Sequence, residues 1–387
     1  MAKNTNFKPI VGCEVYVARR GMAQKSERED FAGYHLILLA KNQTGYKNLV
    51  KIVSRSWLEG YYGRPRTDHA ELERFHAGII CSSACIGGEV AQHILNNDLE
   101  AAERAAEWYK GLFGEDYYLE LQYHKPTVER ANHNTCKLEQ KVNNQLIALA
   151  KKLGIKLICS NDIHYVDEED AEVQDSLLCI NWNRRADDPN RLIFSKQEWL
   201  KTTAEMNDLF GYLPEALENT MEICNKVEHY SIKQEPLFPQ SSLPEGVDEV
   251  KHLAHLAFDG AYKLFGKPLP TEVKNGLKAE LRTLNNHHYA PLVLMWYEMV
   301  SAARKMGAKM GKDRGFAKNS LLLYSLGITQ DRPTDFGEAF CDYINHKQGL
   351  PALECEFDKE GRERVLNWIV ERYGEQSVAN IASRNVF

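Results

Sequence analysis

Ile155-Lys-Leu-Ile-Cys-Ser-Asn-Asp-Ile-His-Tyr165 is a short aliphatic run that breaks at once into polar residues. Such a run suits a buried strand. Asp162 and His164 then fall two apart at its C-terminal end, where α/β folds collect ligands. An Asp-x-His pair can hold Zn²⁺, Mn²⁺ or iron through one carboxylate oxygen and one imidazole nitrogen. Working outward, strand-like runs recur at 9–17, 34–40, 78–82 and 117–121. Helical patterns lie between them. The one at 98–113 has an acidic first turn suited to the helix dipole, and the one at 128–153 ends at Gly154, a typical C′ residue. This alternation predicts an α/β fold with a largely parallel sheet or barrel.

Further on, Thr202-Thr-Ala-Glu205 reads as a capping box, and Pro214 opens a helix at its first position. Residues 236–246 hold three prolines without periodicity and read as a linker. The spacing then predicts helices at about 247–265, 271–287, 291–306 and 318–326. A short strand at 350–357 and a helix at 359–373 follow. We therefore expect a first domain over 1–235 and a second over 247–387.

The 387 residues are 43% hydrophobic and 26% charged, with a net charge of −6, so no global basic field draws the chain to nucleic acid. Any DNA contact must rest on local patches. No apolar stretch reaches the roughly 20 residues needed to cross a bilayer. The first residues lack the apolar core of a signal peptide. Nine cysteines without framework spacing read as reduced, in a cytoplasmic protein.

Leu350-Pro-Ala-Leu-Glu-Cys-Glu-Phe357 carries the second candidate site. A strand has period two, so Glu354 and Glu356 would share one face. Two carboxylates on one face suit a Mg²⁺ site for phosphoryl transfer. On spacing alone, an edge strand with acids facing water is the commoner reading. The surrounding residues point further. The stretch 349–373 resembles the palm of the alpha-subunit family of bacterial DNA polymerase III, which has Pro-Asp-x-Asp-x-Asp-Phe here. Pro351, Phe357, Asp358, Gly361, Arg362 and Tyr373-Gly374 fit. The family's first aspartate is Ala352, and its metal-binding aspartates are Glu354 and Glu356.

The N-terminal part is similar to the PHP (polymerase and histidinol phosphatase) domain that opens the same family. The motifs are Lys8-Pro-Ile-Val-Gly-Cys-Glu14, Tyr34-His-Leu36, Gly45-Tyr-Lys-Asn-Leu49, Ala84-Cys-Ile-Gly-Gly-Glu89 and Ser160-Asn-Asp-Ile-His-Tyr165. The resemblance implies a distorted (β/α)₇ barrel with a metal cluster at its mouth. It places Glu14, His35, Cys85, Asp162 and His164 on ligand positions. The family's opening His-x-His and Asp-His strands have no counterpart upstream of Glu14. An incomplete barrel is therefore expected, holding one Zn²⁺ or Mn²⁺, with its 9–17 edge uncovered.

The palm resemblance continues at Gly311-Lys-Asp-Arg-Gly-Phe-Ala-Lys-Asn-Ser320, where the family has Gly-Pro-Gly-Arg-Gly-Ser-x-x-Gly-Ser. Arg314, Gly315 and Ser320 match its triphosphate-binding turn. Phe316, Asp313 and Asn319 depart from it. The family's third catalytic aspartate lies beyond residue 387. An Asp-to-Glu change shifts a carboxylate by about 1 Å, enough to cost about 100-fold where geometry is critical. These features imply a truncated, divergent relative with a helical, palm-like α+β second domain and little or no polymerase activity. If active, it would use Mg²⁺, DNA and deoxynucleotides. The alternatives are a scaffold that keeps the PHP surface, able to receive a proofreading exonuclease subunit, and a residual metal-dependent phosphoesterase.

Overall fold

The computed structural model describes residues 7–233, 243, 244, 246–311, 315–346, 351 and 354–379. It divides into two compact units, Met1–Lys233 and Gln234–Phe387. The expected linker at 236–246 falls mostly outside the described residues.

Among the described residues, the first unit is built on six strands: β1 (Gly12–Ala18), β2 (Gly33–Ala40), β3 (Arg66–Thr67), β4 (Ile79–Ser82), β5 (Tyr117–Leu121) and β6 (Lys156–Cys159). Their order in the sheet is β3-β1-β2-β4-β5-β6. Five strands coincide with the apolar runs. β3 was not expected, because two residues, one of them Arg66, carry no period. The sheet is mixed, not largely parallel. The β1–β3, β4–β5 and β5–β6 pairs are parallel, whereas β2 runs against both its neighbours, β1 and β4. Between β1 and β2 the chain turns back through a loop with only a 3₁₀ turn at Arg28–Asp30. Arg20 and Asp30 close that loop at 2.7 Å. A parallel pair would have needed a crossover, usually helical.

Both faces of the sheet are buried. Val15, Val17, Leu36, Leu38, Cys81, Leu119 and Leu157 pack into the main core with helices such as Gln43–Leu58, Leu99–Phe113 and Thr135–Leu153. On the other face Ile80, Tyr118 and Ile158 meet Ile223 and Val227. Two-sided burial explains why β4 and β5 read as continuous apolar runs rather than alternating ones. The expected bare edge at 9–17 is covered by a strand only at its C-terminal end. Val15 and Val17 are buried, and β3 pairs with Tyr16 and Val17. Only Gly12–Val15 lacks a strand on that side among the described residues. At the opposite edge the helix Pro214–Lys226 covers β6, and Asn219 Nδ2 donates to the Leu157 carbonyl at 2.8 Å.

The helix expected at 128–153 begins only at Thr135. The Asn132 side-chain oxygen accepts from the amides of Asn134 and Thr135. That local bond offers the backbone an alternative to helix.

The second unit is helical: Glu249–Phe265, Thr271–Asn286, Ala290–Lys305, Leu321–Ser325, Glu338–His346 and Lys359–Tyr373. Leu253, Leu277, Trp296, Leu322 and Phe340 form its core. The strand expected at 350–357 reduces, among the described residues, to one antiparallel bridge between Phe357 and Met310. Two backbone bonds hold it, Gly311 N to Glu356 O at 2.9 Å and Asp358 N to Lys309 O at 3.0 Å.

Candidate metal centre

Glu14 comes from β1, His35 from β2 and Cys85 from the turn after β4. That turn is tight. Ala84 sits at φ 57°, and a side chain at Gly88 would meet the Ser83 carbonyl at 2.0 Å. The turn wraps His35: its amide donates to the Gly87 carbonyl at 3.0 Å. A Cβ at Gly87 would lie 3.1 Å from the His35 ring. The Gly-Gly pair is therefore steric in origin, since it lets the cysteine loop close on the histidine.

His35 Nδ1 lies 2.6 Å from Glu14 Oε1 and 3.5 Å from Cys85 Sγ. One donor atom from each of the three residues falls within 4.8 Å of the others. Cys85 and then Glu14 push the His35 imidazole up to about 10. A proton shared in this way is what a bound cation would displace. Carboxylate, imidazole and thiol together form a borderline-soft donor set that fits a transition metal.

Asp162 and His164 form a pair of their own, with His164 Nε2 3.7 Å from Asp162 Oδ1. Each charges the other. His164 lowers the Asp162 carboxyl, and Asp162 raises the His164 imidazole. Asp162 shares the wall of a cavity of about 320 Å³ with Glu14 and Cys85. Ile37, Leu39, Ile80 and Ile158 line the remainder of that cavity. A smaller cavity of about 180 Å³ touches Cys85, Asp162 and His164 from the other side. Among the described residues, the compact donor cluster is the Glu14–His35–Cys85 trio, and the expected ligands Asp162 and His164 are not part of it.

Two further groups, one at each cavity, were not found from sequence. Glu120 is buried on β5, accepts hydrogen bonds from the Ser82 and Ser160 hydroxyls, and takes one from Gln122 Nε2 at 3.0 Å. The available signal was a single acid inside the apolar run Tyr117-Tyr-Leu-Glu-Leu121. His124 and Glu139 are also buried and paired at 2.6 Å. Nothing in their spacing, fifteen residues apart, marked them.

In the second unit, Arg314 lies outside the described residues. Gly315 opens a 3₁₀ turn at φ 62°. Ser320 is buried and caps the helix at Leu321, its hydroxyl donating to Glu280 at 2.6 Å. Phe316 stacks on Tyr343 with ring centres 4.5 Å apart. Glu354 and Glu356 are both exposed, with half-buried Cys355 between them. Their side chains alternate with Cys355 as a strand's would, and among the described residues no strand is formed there.

A family model for the PHP domain matches residues 1–124, and one for the bacterial DNA polymerase III alpha NTPase domain matches residues 251–387. The DNA polymerase III subunit alpha of Borreliella burgdorferi is 36% identical over 98% of this chain. That of Treponema pallidum is 33% identical over 97%, and that of Campylobacter jejuni 29% identical over 98%. This chain spans about a third of the length of each. No described helix is long and apolar enough to cross a membrane. By sequence the chain belongs to the DNA polymerase III alpha-subunit family, with a PHP domain in its first unit and a match to the family's NTPase domain in its second.

Proposed function

We propose that this chain serves DNA replication in the cytoplasm as a polymerase III alpha-type protein. Its first unit binds a transition metal, and its second does not by itself extend a primer. The observation that carries the reading is the convergence of Glu14, His35 and Cys85 from three separate segments. Thiolate and imidazole favour Zn²⁺, with Mn²⁺ the alternative. Asp162 and His164 supply further donors from the adjoining wall.

The second half rests on the triphosphate turn and the acids. Phe316 packs against Tyr343 and Phe340 where the family has a serine. Ser320 is buried on Glu280. Glutamates replace the aspartates at 354 and 356. Were the unit active, these two would hold Mg²⁺, with Arg314 and Gly315 near the triphosphate. DNA, deoxynucleotides and a proofreading exonuclease subunit are partners on family grounds.

A second reading, a metal-dependent phosphoesterase, is favoured by the open cavity beside the trio. The test is primer extension with Mg²⁺ and all four nucleotides, run beside hydrolysis of a chromogenic phosphodiester. No extension is expected. Efficient extension that Glu356→Gln abolishes would overturn this reading of the second unit. Hydrolysis lost in Cys85→Ser would establish the phosphoesterase instead.

A further inference from the structure

We infer that the buried His124–Glu139 pair is a positioning device for the metal centre. It grips the backbone at Asn161 and so fixes Asp162 on the cavity wall shared with Glu14 and Cys85. The inference rests on the metal-binding reading above and adds to it the residues that hold one of its donors in place.

Both ring nitrogens of His124 are engaged. Nδ1 meets Glu139 Oε1 at 2.6 Å, and Nε2 meets the Asn161 carbonyl oxygen at 3.0 Å. The His124 amide also donates to Glu139 Oε2 at 2.8 Å. Three elements are thereby tied together: the segment after β5, the helix Thr135–Leu153 and the segment after β6. Asn161 is gripped on its other side too. Its Nδ2 donates to the carbonyls of Gln197 at 3.0 Å and Trp199 at 2.7 Å. His164 N donates to Glu198 O at 2.8 Å.

Asp162 sits at φ 40°, a left-handed backbone open to few non-glycine residues, Asp among them. The bonds at Asn161 and His164 flank it on both sides and hold it there. Released, the backbone would relax to the extended region and turn the carboxylate along a different direction. A buried ion pair is also a poor way to gain stability compared with apolar packing. Its geometry therefore accounts for it better than its energy does. Outer-shell partners of metal ligands act in this way, and their loss typically weakens metal binding 10- to 100-fold.

The test uses the full chain, stripped of metal and titrated with Co²⁺, which reports thiolate ligation and coordination geometry by absorption. His124→Ala is expected to weaken Co²⁺ binding about 10- to 100-fold and to shift the d–d bands. The thiolate charge-transfer band from Cys85 should remain. The paired variant His124→Gln with Glu139→Gln keeps a donor toward Asn161 and is expected to recover most of the affinity. Should His124→Ala fail to fold, the paired variant alone decides: loss of its affinity while it remains folded overturns the proposal. Wild-type affinity and bands in a folded His124→Ala would overturn it as well. A separate readout needs no metal. A crystal structure of metal-free His124→Ala should show Asp162 out of the left-handed region, and φ still positive there would refute the positioning role. A wild-type chain that shows no thiolate band would remove the metal centre itself, which is a different failure.

Discussion

Cys85 contributes the one sulfur of the trio. Replacing it with serine exchanges a soft ligand for a hard, weakly acidic one. Cys85→Ser is expected to lower Zn²⁺ affinity at least about 10-fold with little change in fold, measured by competition with a chromophoric chelator. In the second unit the telling residue is Glu280. Burial pushes its carboxyl up to about 8, although the Ser320 hydroxyl and the amides of Leu321 and Leu322 all donate to it. The folded state therefore binds a proton that the unfolded chain releases near its ordinary value of 4.5. Stability from this group is full below about pH 4.5 and falls as pH rises toward about 8, by on the order of 4 kcal/mol. Urea unfolding of the second unit followed by circular dichroism should show that decline, and Glu280→Gln should flatten it. Residues of this kind mark where sequence reading stopped. Glu14, His35 and Cys85 stand out in the sequence because they lie in motifs with distinctive neighbours. Glu280, Glu120 and His124 sit in ordinary-looking runs and acquire their roles only when folding buries them.

At the scale of elements, strands with strong apolar character were legible from composition: β2, β4, β5 and β6 lie within a residue or so of the runs that announce them. Strand direction was not legible. Period two fixes which face a side chain takes but not which way its neighbour runs, so the antiparallel setting of β2 had no local signal. Among the described residues, the 350–357 run pairs through a single bridge to Met310, and a strand needs a partner along its length. Close packing between elements gives a sharper test. Gly45 opens the helix Gln43–Leu58 against the loop before β4, and a Cβ there would lie 1.7 Å from the Gly78 carbonyl. Gly45→Ala cannot fit without moving backbone. It is expected to cost about 1–3 kcal/mol, seen as a lowered unfolding midpoint of the first unit. Exchanging Phe316 for alanine removes the ring stacked on Tyr343 and Phe340. A loss of about 2–3 kcal/mol is expected for a half-buried aromatic, measured by denaturant unfolding.

At the scale of the molecule, each unit has its own apolar core. Calorimetry is expected to resolve two transitions, and Zn²⁺ should raise only the one belonging to the first unit, because a ligand stabilises the state that binds it. The central claim is that Glu14, His35 and Cys85 form a metal centre in a chain of the polymerase III alpha family. The most direct measurement is elemental analysis of the purified chain after dialysis against Zn²⁺, alongside a variant carrying both His35→Ala and Cys85→Ser. The expected result is a tightly held metal in the wild type that the double variant loses while staying folded. A wild type that retains no metal, or a double variant that retains as much, would contradict it.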